Sequence, residues 1–201
     1  SFSVPGGYQS APFTLEMSCT TEGAEIRYTT DGSTPTASST LYTGPITISR
    51  PADREGVTVR AIALAPGKLS SDEMVATYLF DEKHSLPVVC LSMTKSDFQY
   101  VYSSVKRDQK YERAGYVEYY EPDGTLGVRF PAGFRVAGAS SRTYNQKSLN
   151  LYLRGGYGLS SVTYPFFENY EIKTFKSLSL RSMGQDRTLT CLRDAYFHMV
   201  A

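Results

Sequence analysis

Short alternations of apolar and polar residues run through the first eighty positions, and turn-forming clusters separate them. These strand-like runs cover 14–19, 25–29, 46–48, 57–64 and 74–80. Between the second and third runs, residues 31–35 read Asp-Gly-Ser-Thr-Pro, a sequence typical of a tight turn. A repeat of two residues indicates strands, and strands at this spacing predict a small β-sandwich.

The pattern changes in the second part of the chain. A continuous apolar run at 86–93 predicts a buried strand, and residues 97–104 predict a short helix. Later strands are predicted at 113–121, 133–137, 147–154 and 175–181. The strand at 147–154 is the clearest, because Leu149, Leu151 and Leu153 alternate strictly with other residues.

A helical repeat closes the sequence. Its apolar positions recur every three or four residues, at Leu189, Leu192, Tyr196 and Met199. This repeat predicts an amphipathic helix over 188–201, and no Gly, Asn or Pro stops it, so we expect a piece of a longer protein. The predicted fold class is mainly β with α+β character. A β-sandwich domain over 1–82 precedes a β-rich domain over 83–201 that ends in one helix.

Composition is that of an ordinary soluble globular protein. Hydrophobic residues make up 41% of the chain and charged residues 20%, which allows a substantial core. No run of about eighteen apolar residues predicts a membrane span. The net charge of +1 and the lack of a basic helical stripe argue against nucleic acid as a partner. The three cysteines lack zinc-site spacing and are expected to be buried free thiols.

Positive charge is concentrated in a stretch that lacks carboxylates. Residues 124–167 contain no Asp or Glu, but they contain the cations Arg129, Arg135, Arg142, Lys147 and Arg154. A stretch with one sign of charge suits an anionic ligand such as a phosphate group. The alternative is a solvated surface whose cations find partners elsewhere in the fold, and the sequence leaves both interpretations open.

The best candidate for phosphate binding lies between the predicted strands 133–137 and 147–154. The small residues Gly138, Ser140 and Ser141 would let backbone amides approach a phosphate. Arg142 would add a planar cation, and Lys147 would add a point charge. The segment has neither the P-loop motif nor the protein-kinase glycine motif, so an ordinary hairpin is the alternative.

Four segments of the first domain match one known module, and they cover 28–36, 42–46, 58–64 and 76–80. With them, residues 5–80 resemble the β-sandwich attached to chitobiases and other secreted proteins, also described as fibronectin-III-associated. Such modules are accessory domains more often than enzymes. The resemblance therefore implies that Asp31 forms a turn and is not catalytic.

A second set of segments covers 86–89, 111–114, 117–124, 138–142, 146–148, 175–178 and 192–194. Together they resemble the start of the kinase domain of the spore coat protein H (CotH) family. The resemblance implies an N-lobe-like fold for 86–201. It also implies an atypical kinase that uses ATP with Mg²⁺ or Mn²⁺ to phosphorylate Ser or Thr hydroxyls of protein substrates.

The CotH resemblance also implies roles for particular residues. The nucleotide would meet Gly138, Ser140, Ser141, Arg142, Lys147 and Asp194. Asp194 would orient Lys147 from the final helix, unless it is simply a solvated helix residue. The family's catalytic and metal-binding carboxylates lie beyond the matching segment. No catalytic or metal-binding residue is therefore expected in this chain, and neither bound ATP nor kinase activity is expected of it alone.

A second function class stays open at this point. The chain would then be a non-catalytic cell-surface adhesion or glycan-associated protein, with a surface glycan as its partner. The sandwich module and the sixteen tyrosines permit this interpretation. Both interpretations place the protein outside the cytoplasm, either secreted or in the cell envelope.

Overall fold

The computed structural model describes residues 1–52, 56–80, 84–103, 108–167 and 170–182. This part of the chain is mainly β, as the sequence predicted. The strands are β1 (Gly7–Tyr8), β2 (Phe13–Leu15), β3 (Glu25–Thr29), β4 (Thr40–Leu41), β5 (Ile46–Ile48), β6 (Gly56–Leu64), β7 (Met74–Leu79), β8 (Val88–Ser92), β9 (Arg113–Tyr120), β10 (Leu126–Val136), β11 (Leu149–Tyr152), β12 (Val162–Thr163), β13 (Thr174–Phe175) and β14 (Ser177–Leu180). The helices are α1 (Lys95–Ser103) and the short 3-10 turns Gln109–Tyr111, Ser140–Thr143 and Gly155–Tyr157. Within the described residues, no helix has the length and apolar character needed to cross a bilayer.

The chain divides into two compact units. One unit comprises Ser1–Lys95 and Tyr116–Arg129, and the other comprises Ser96–Gly115 and Phe130–Ala201. The predicted domain boundary between residues 82 and 83 falls at 81–83, outside the described residues, and it stays a prediction.

The first unit contains the predicted β-sandwich. One layer is a sheet of order β1-β7-β6-β3-β4, and the other is the antiparallel pair β2-β5. Buried residues from both layers pack together, including Leu15 and Ile48 from the pair and Val59 and Tyr78 from the sheet. The alternation in the sequence places these side chains inward, so each sheet buries one face against the other.

The turn that carries the module's most specific sequence has the expected local role. The Asp31 carboxylate accepts hydrogen bonds from the Ser33 amide at 3.0 Å and from the Ser33 hydroxyl at 2.5 Å. Gly32 has φ +82°, which an L side chain rarely adopts. The Gly32 carbonyl accepts a hydrogen bond of 2.6 Å from Arg60, a buried residue of β6. These contacts confirm that Asp31 forms a turn.

The apolar run at 86–93 forms the predicted strand, but the strand is only partly buried, and the prediction of a buried strand is wrong. β8 lies at the edge of a sheet of order β14-β11-β10-β9-β8, and it pairs only with β9 in that order. Leu86 precedes the strand and is 71% exposed, while Val88 and Val89 are half-buried. An edge strand has one neighbour, so an apolar sequence does not by itself ensure burial.

The strands of the second unit follow the predicted alternation closely. β11 pairs antiparallel with β10 on one side and with β14 on the other. Leu149, Leu151 and Leu153 are buried, as predicted. The predicted strand at 133–137 is longer than expected, because β10 begins at Leu126. Pro131 lies inside it, and proline normally counts against a strand.

Two predictions concern residues whose structure is not described. The helix predicted over 188–201 and its Asp194 lie outside the described residues, as does Cys191. Of the other cysteines, Cys19 is exposed and Cys90 is half-buried, and both are free thiols. The expectation of a buried thiol is therefore wrong for Cys19, which lies in a surface connection between β2 and β3.

Candidate functional site

The predicted phosphate loop joins β10 to β11 and contains a 3-10 turn at Ser140–Thr143. Gly138 has φ +97°, and a Cβ atom there would lie 2.2 Å from the Ser141 hydroxyl oxygen. The positive φ favours glycine at this position, whereas the Ser141 side chain can rotate away from a Cβ atom. Arg142 folds back on the loop, since its Nε donates a hydrogen bond of 3.0 Å to the Ala139 carbonyl.

Lys147 lies against the same loop. Its ammonium donates a hydrogen bond of 2.5 Å to the Arg142 carbonyl. Its Nζ also lies 5.7 Å from the centroid of the Tyr102 ring, within the range of a cation–π contact. The structure thus brings together Lys147 and the backbone of the predicted loop, whereas the binding role of these residues stays a prediction.

An aromatic cleft of about 580 Å³ opens beside Lys147. Its lining is Phe98, Gln99, Tyr100, Tyr102, Ser103, Thr143, Tyr144, Asn145 and Lys147. Phe98 and Tyr102 are one helical turn apart on α1, and their rings stack with centroids 5.1 Å apart. Phe98 and Tyr100 are each 40% exposed, and the Arg113 guanidinium covers one face of the Tyr100 ring, 3.7 Å from its centroid. No carboxylate belongs to this described lining.

Tyr102 fixes the cleft wall to the loop. Its hydroxyl donates a hydrogen bond of 2.8 Å to the Asn145 carbonyl and accepts one of 3.0 Å from the Lys147 amide. These bonds join α1 to the start of β11. They hold the Lys147 backbone at a defined position beside the aromatic rings.

We expect Tyr102→Phe to lower the free energy of unfolding by about 1 kcal/mol, because two hydrogen bonds to one hydroxyl are lost near the surface. Hydrogen exchange at the Lys147 amide should become faster in the same variant. Urea denaturation and amide exchange measure the two effects. Tyr170→Phe, at a ring that is 53% exposed, is the matched control. Unchanged exchange at Lys147 would contradict the role given to Tyr102.

A buried ion cluster in the second unit was missed by sequence reasoning. The Glu112 side chain is fully buried. Arg154 binds it through two hydrogen bonds, from Nε at 3.1 Å and from Nη2 at 2.9 Å. The Tyr157 hydroxyl donates a third at 3.1 Å, and Arg135 lies 3.4 Å away. One carboxylate therefore serves two guanidinium groups.

Tyr152 also belongs to this cluster. Arg135 donates a hydrogen bond of 2.6 Å to the Tyr152 hydroxyl, and Asn150 donates another of 2.9 Å. The Arg135 and Arg154 guanidinium carbons lie 4.6 and 4.9 Å from the centroid of the Tyr152 ring. Hydrogen bonds to Glu112 raise the pKa of Arg154, which keeps the guanidinium charged.

Gly133 makes room for this arrangement. A Cβ atom at position 133 would lie 2.3 Å from the Tyr157 ring, so only glycine lets the ring approach β10. Burial, followed by the charge of Glu112, raises the pKa of Tyr157 and keeps its hydroxyl protonated as a donor. The cluster is thus a brace between β9, β10 and β11, with its carboxylate saturated by protein donors.

The described residues hold no group of three or more His, Cys, Asp or Glu side chains placed to bind a metal ion. Of the six residues predicted to meet a nucleotide, five lie on the loop and at the start of β11. These are Gly138, Ser140, Ser141, Arg142 and Lys147. The sixth, Asp194, lies outside the described residues.

Comparison with known proteins identifies one relationship. Residues 4–76 match the family model of the chitobiase/beta-hexosaminidase C-terminal domain. The match covers most of the predicted sandwich domain 1–82 and supports that part of the sequence interpretation. Comparisons with curated proteins and with solved structures each find no match. The resemblance of residues 86–201 to CotH kinases gains no support from these comparisons.

Proposed function

We propose that residues 83–201 are the nucleotide-binding part of an extracytoplasmic CotH-like protein kinase, and that residues 1–82 are its accessory β-sandwich. The observation that carries this proposal is the position of Lys147. Its ammonium lies at the aromatic cleft and against the backbone of the loop 138–142. The sequence resemblance implies the same lysine for the nucleotide.

The chemistry of the cleft supports an anionic, partly aromatic ligand. The exposed part of Phe98 offers stacking surface for a nucleobase, whereas the Arg113 guanidinium already lies over the Tyr100 ring, 3.7 Å from its centroid. Lys147 offers a mobile point charge for a phosphate oxygen, since ammonium groups bind phosphate without demanding one geometry. The described lining has no carboxylate that would repel the phosphates. The Lys147 ammonium carries three protons, and the Arg142 carbonyl accepts one of them.

The metal that the CotH resemblance implies does not fit the described residues of this cleft. Mg²⁺ and Mn²⁺ prefer oxygen ligands, mainly carboxylates and phosphates. The lining offers amide and hydroxyl groups but no carboxylate. We therefore assign no metal-dependent step to these residues. Their part in the proposed reaction is to bind and orient the nucleotide for transfer to a Ser or Thr hydroxyl of a protein substrate.

Glycan binding is the second candidate, and one observation favours it. Two aromatic rings of the cleft are partly exposed, and the amides of Gln99 and Asn145 lie beside them. Aromatic faces flanked by amides also suit the apolar face and the hydroxyls of a sugar ring. Under this alternative the chain would be a surface adhesion protein without catalysis.

Lys147→Ala is expected to weaken ATP binding by about tenfold, because one phosphate-directed charge is worth roughly 1.4 kcal/mol. The affinity of the 201-residue chain should itself be weak, so calorimetric titration needs high protein concentrations. Lys176→Ala is the matched control, since Lys176 is exposed and outside the cleft. Equal affinity in both variants would contradict the role of Lys147.

A phosphotransfer assay distinguishes the proposed kinase function from the glycan-associated function. With labelled ATP, Mg²⁺ or Mn²⁺ and a Ser-rich acceptor, the product of the complete gene should turn over, and the 201-residue chain should not. Turnover by the 201-residue chain that is lost in Lys147→Ala would show that its own residues suffice. If neither protein binds ATP, and oligosaccharide binding is lost in Phe98→Ala, the glycan-associated function replaces the kinase.

A further inference from the structure

A carboxyl group is buried in the first unit without a counter-ion in contact. Glu118 lies on β9, and its exposed fraction is zero. Its Oε1 is 3.2 Å from the Tyr120 hydroxyl, and its Oε2 has no hydrogen-bond partner among the described residues. The Tyr120 hydroxyl is also 3.2 Å from the Thr77 carbonyl on β7. An ionised carboxylate buried in this way would destabilise the folded protein, because its charge would lose contact with water.

The count of hydrogen-bond donors around the Tyr120 hydroxyl favours a protonated Glu118 side chain. The Tyr120 hydroxyl has one proton, but both of its neighbours are acceptors when Glu118 is ionised. One of the two contacts would then lack a hydrogen. When Glu118 carries a proton on Oε1, it donates to the Tyr120 hydroxyl, which in turn donates to the Thr77 carbonyl. Both contacts are then hydrogen bonds, and they connect β9 with β7.

The surroundings leave little room for another arrangement. A Cβ atom at Gly6 would lie 2.7 Å from the Tyr120 hydroxyl and 3.0 Å from the Thr77 carbonyl. The amino-terminal segment therefore packs closely over the two hydrogen bonds. A side chain at position 6 would therefore displace the Tyr120 hydroxyl or the backbone of Thr77.

The ionisable groups around Glu118 come from four strands. Cys90 of β8 pairs with Glu118 in the strand register, and Tyr78 of β7 lies within its electrostatic influence. Burial, followed by the charge of Glu118, raises the pKa of both, to about 12 for Cys90. Tyr120 has a raised pKa for the same two reasons. Arg129 of β10 is the nearby cation, and its guanidinium donates a hydrogen bond to the Val75 carbonyl. Burial raises the pKa of Glu118, although hydrogen bonds from Thr77, the charge of Arg129 and a hydrogen bond from Tyr120 oppose the rise.

We infer that Glu118 is a proton-dependent latch, whose proton joins β9 to Thr77 of β7 through the Tyr120 hydroxyl. Loss of that proton weakens the attachment of β9 within the first unit. The folded state of a carboxyl with a raised pKa binds more protons than the unfolded state. The latch therefore contributes fully below the ordinary carboxyl pKa, and its contribution falls as pH rises toward the folded-state pKa of Glu118.

Glu118→Gln tests the latch, because a glutamine amide can donate to the Tyr120 hydroxyl at every pH. Urea unfolding of the 201-residue chain would be followed from about pH 4, below the ordinary glutamate pKa, to about pH 8. The folded-to-unfolded ratio of the unmodified protein should fall about tenfold for each unit by which the pKa is raised. Glu118→Gln should lose this dependence. Glu22→Gln, at an exposed position, should retain it. Parallel pH profiles for the unmodified protein and Glu118→Gln would overturn the latch.

A second measurement needs no variant at position 118. Carbon-13 NMR of the side-chain carboxyl groups reports the titration of Glu118 in the unmodified chain. We expect its midpoint above the ordinary carboxyl range, and amide exchange along β9 should speed up over the same pH interval. A midpoint in the ordinary carboxyl range would overturn the inference even if Glu118→Gln failed to fold.

Discussion

Replacing Glu112 by glutamine should destabilise the protein by about 3 kcal/mol, because it leaves the mostly buried Arg135 and the partly exposed Arg154 without a carboxylate. The Arg135 side chain is only 15% exposed, so water cannot replace the lost charge. Arg154 is 37% exposed and recovers part of its solvation, which keeps the loss near the lower end of the range for broken buried ion pairs. A glutamine would also turn an NH₂ group toward one of the two arginines.

Urea denaturation at constant pH measures this loss. Glu171→Gln is the matched control, since Glu171 is exposed in the same unit and its substitution should change the free energy of unfolding by less than about 0.5 kcal/mol. Arg154→Lys should give an intermediate loss, because lysine keeps the charge but cannot form the two-bond fork. If Glu112→Gln were as stable as Glu171→Gln, the cluster would not brace the three strands.

The contacts of the Glu112 cluster were not predicted from the sequence. Most of the longer strands were predicted within a few residues, because apolar alternation is local and directly visible. However, β10 begins earlier than predicted, and the two-residue strands β1, β4 and β12 were not predicted. Glu112 meets Arg154 and Tyr157 across separations of 42 and 45 residues, and no local pattern announces such contacts. Gly133 could have been a signal, since a glycine inside a strand often marks a close approach of another group.

The carboxylate-free stretch 124–167 illustrates the same limit. Its cations suggested an anionic ligand, but each one has a partner in the fold. Arg135 and Arg154 pair with Glu112, Arg129 with the Val75 carbonyl, and Arg142 with the Ala139 carbonyl. Only Lys147 combines a single carbonyl partner with a position in the aromatic cleft. Of the five cations in this stretch, Lys147 alone therefore supports the kinase proposal.

Gly32→Ala should also be strongly destabilising, by about 2–5 kcal/mol in total. Position 32 has φ +82°, and a side chain in that conformation costs roughly 1–2 kcal/mol. In addition, a Cβ atom there would lie 2.4 Å from the Met93 carbonyl oxygen and 2.7 Å from its carbon. Both atoms are backbone, so the turn or the segment after β8 must move, and such overpacking typically adds about 1–3 kcal/mol.

Gly67→Ala isolates the packing contribution. Gly67 has φ +71°, close to that of Gly32, but no atom lies within 4 Å of the position that a Cβ atom would take there. Its substitution should therefore cost only the conformational part, and the difference between the two variants measures the contact of the turn with Met93. That contact matters for the domain organisation, because the turn carries the module's most specific sequence and Met93 lies beyond the predicted domain boundary. A large difference would mean that the sandwich and the strand β8 fold as one unit. Equal losses would mean that the turn does not depend on Met93, and the sandwich would then be a separable module, as its family resemblance suggests.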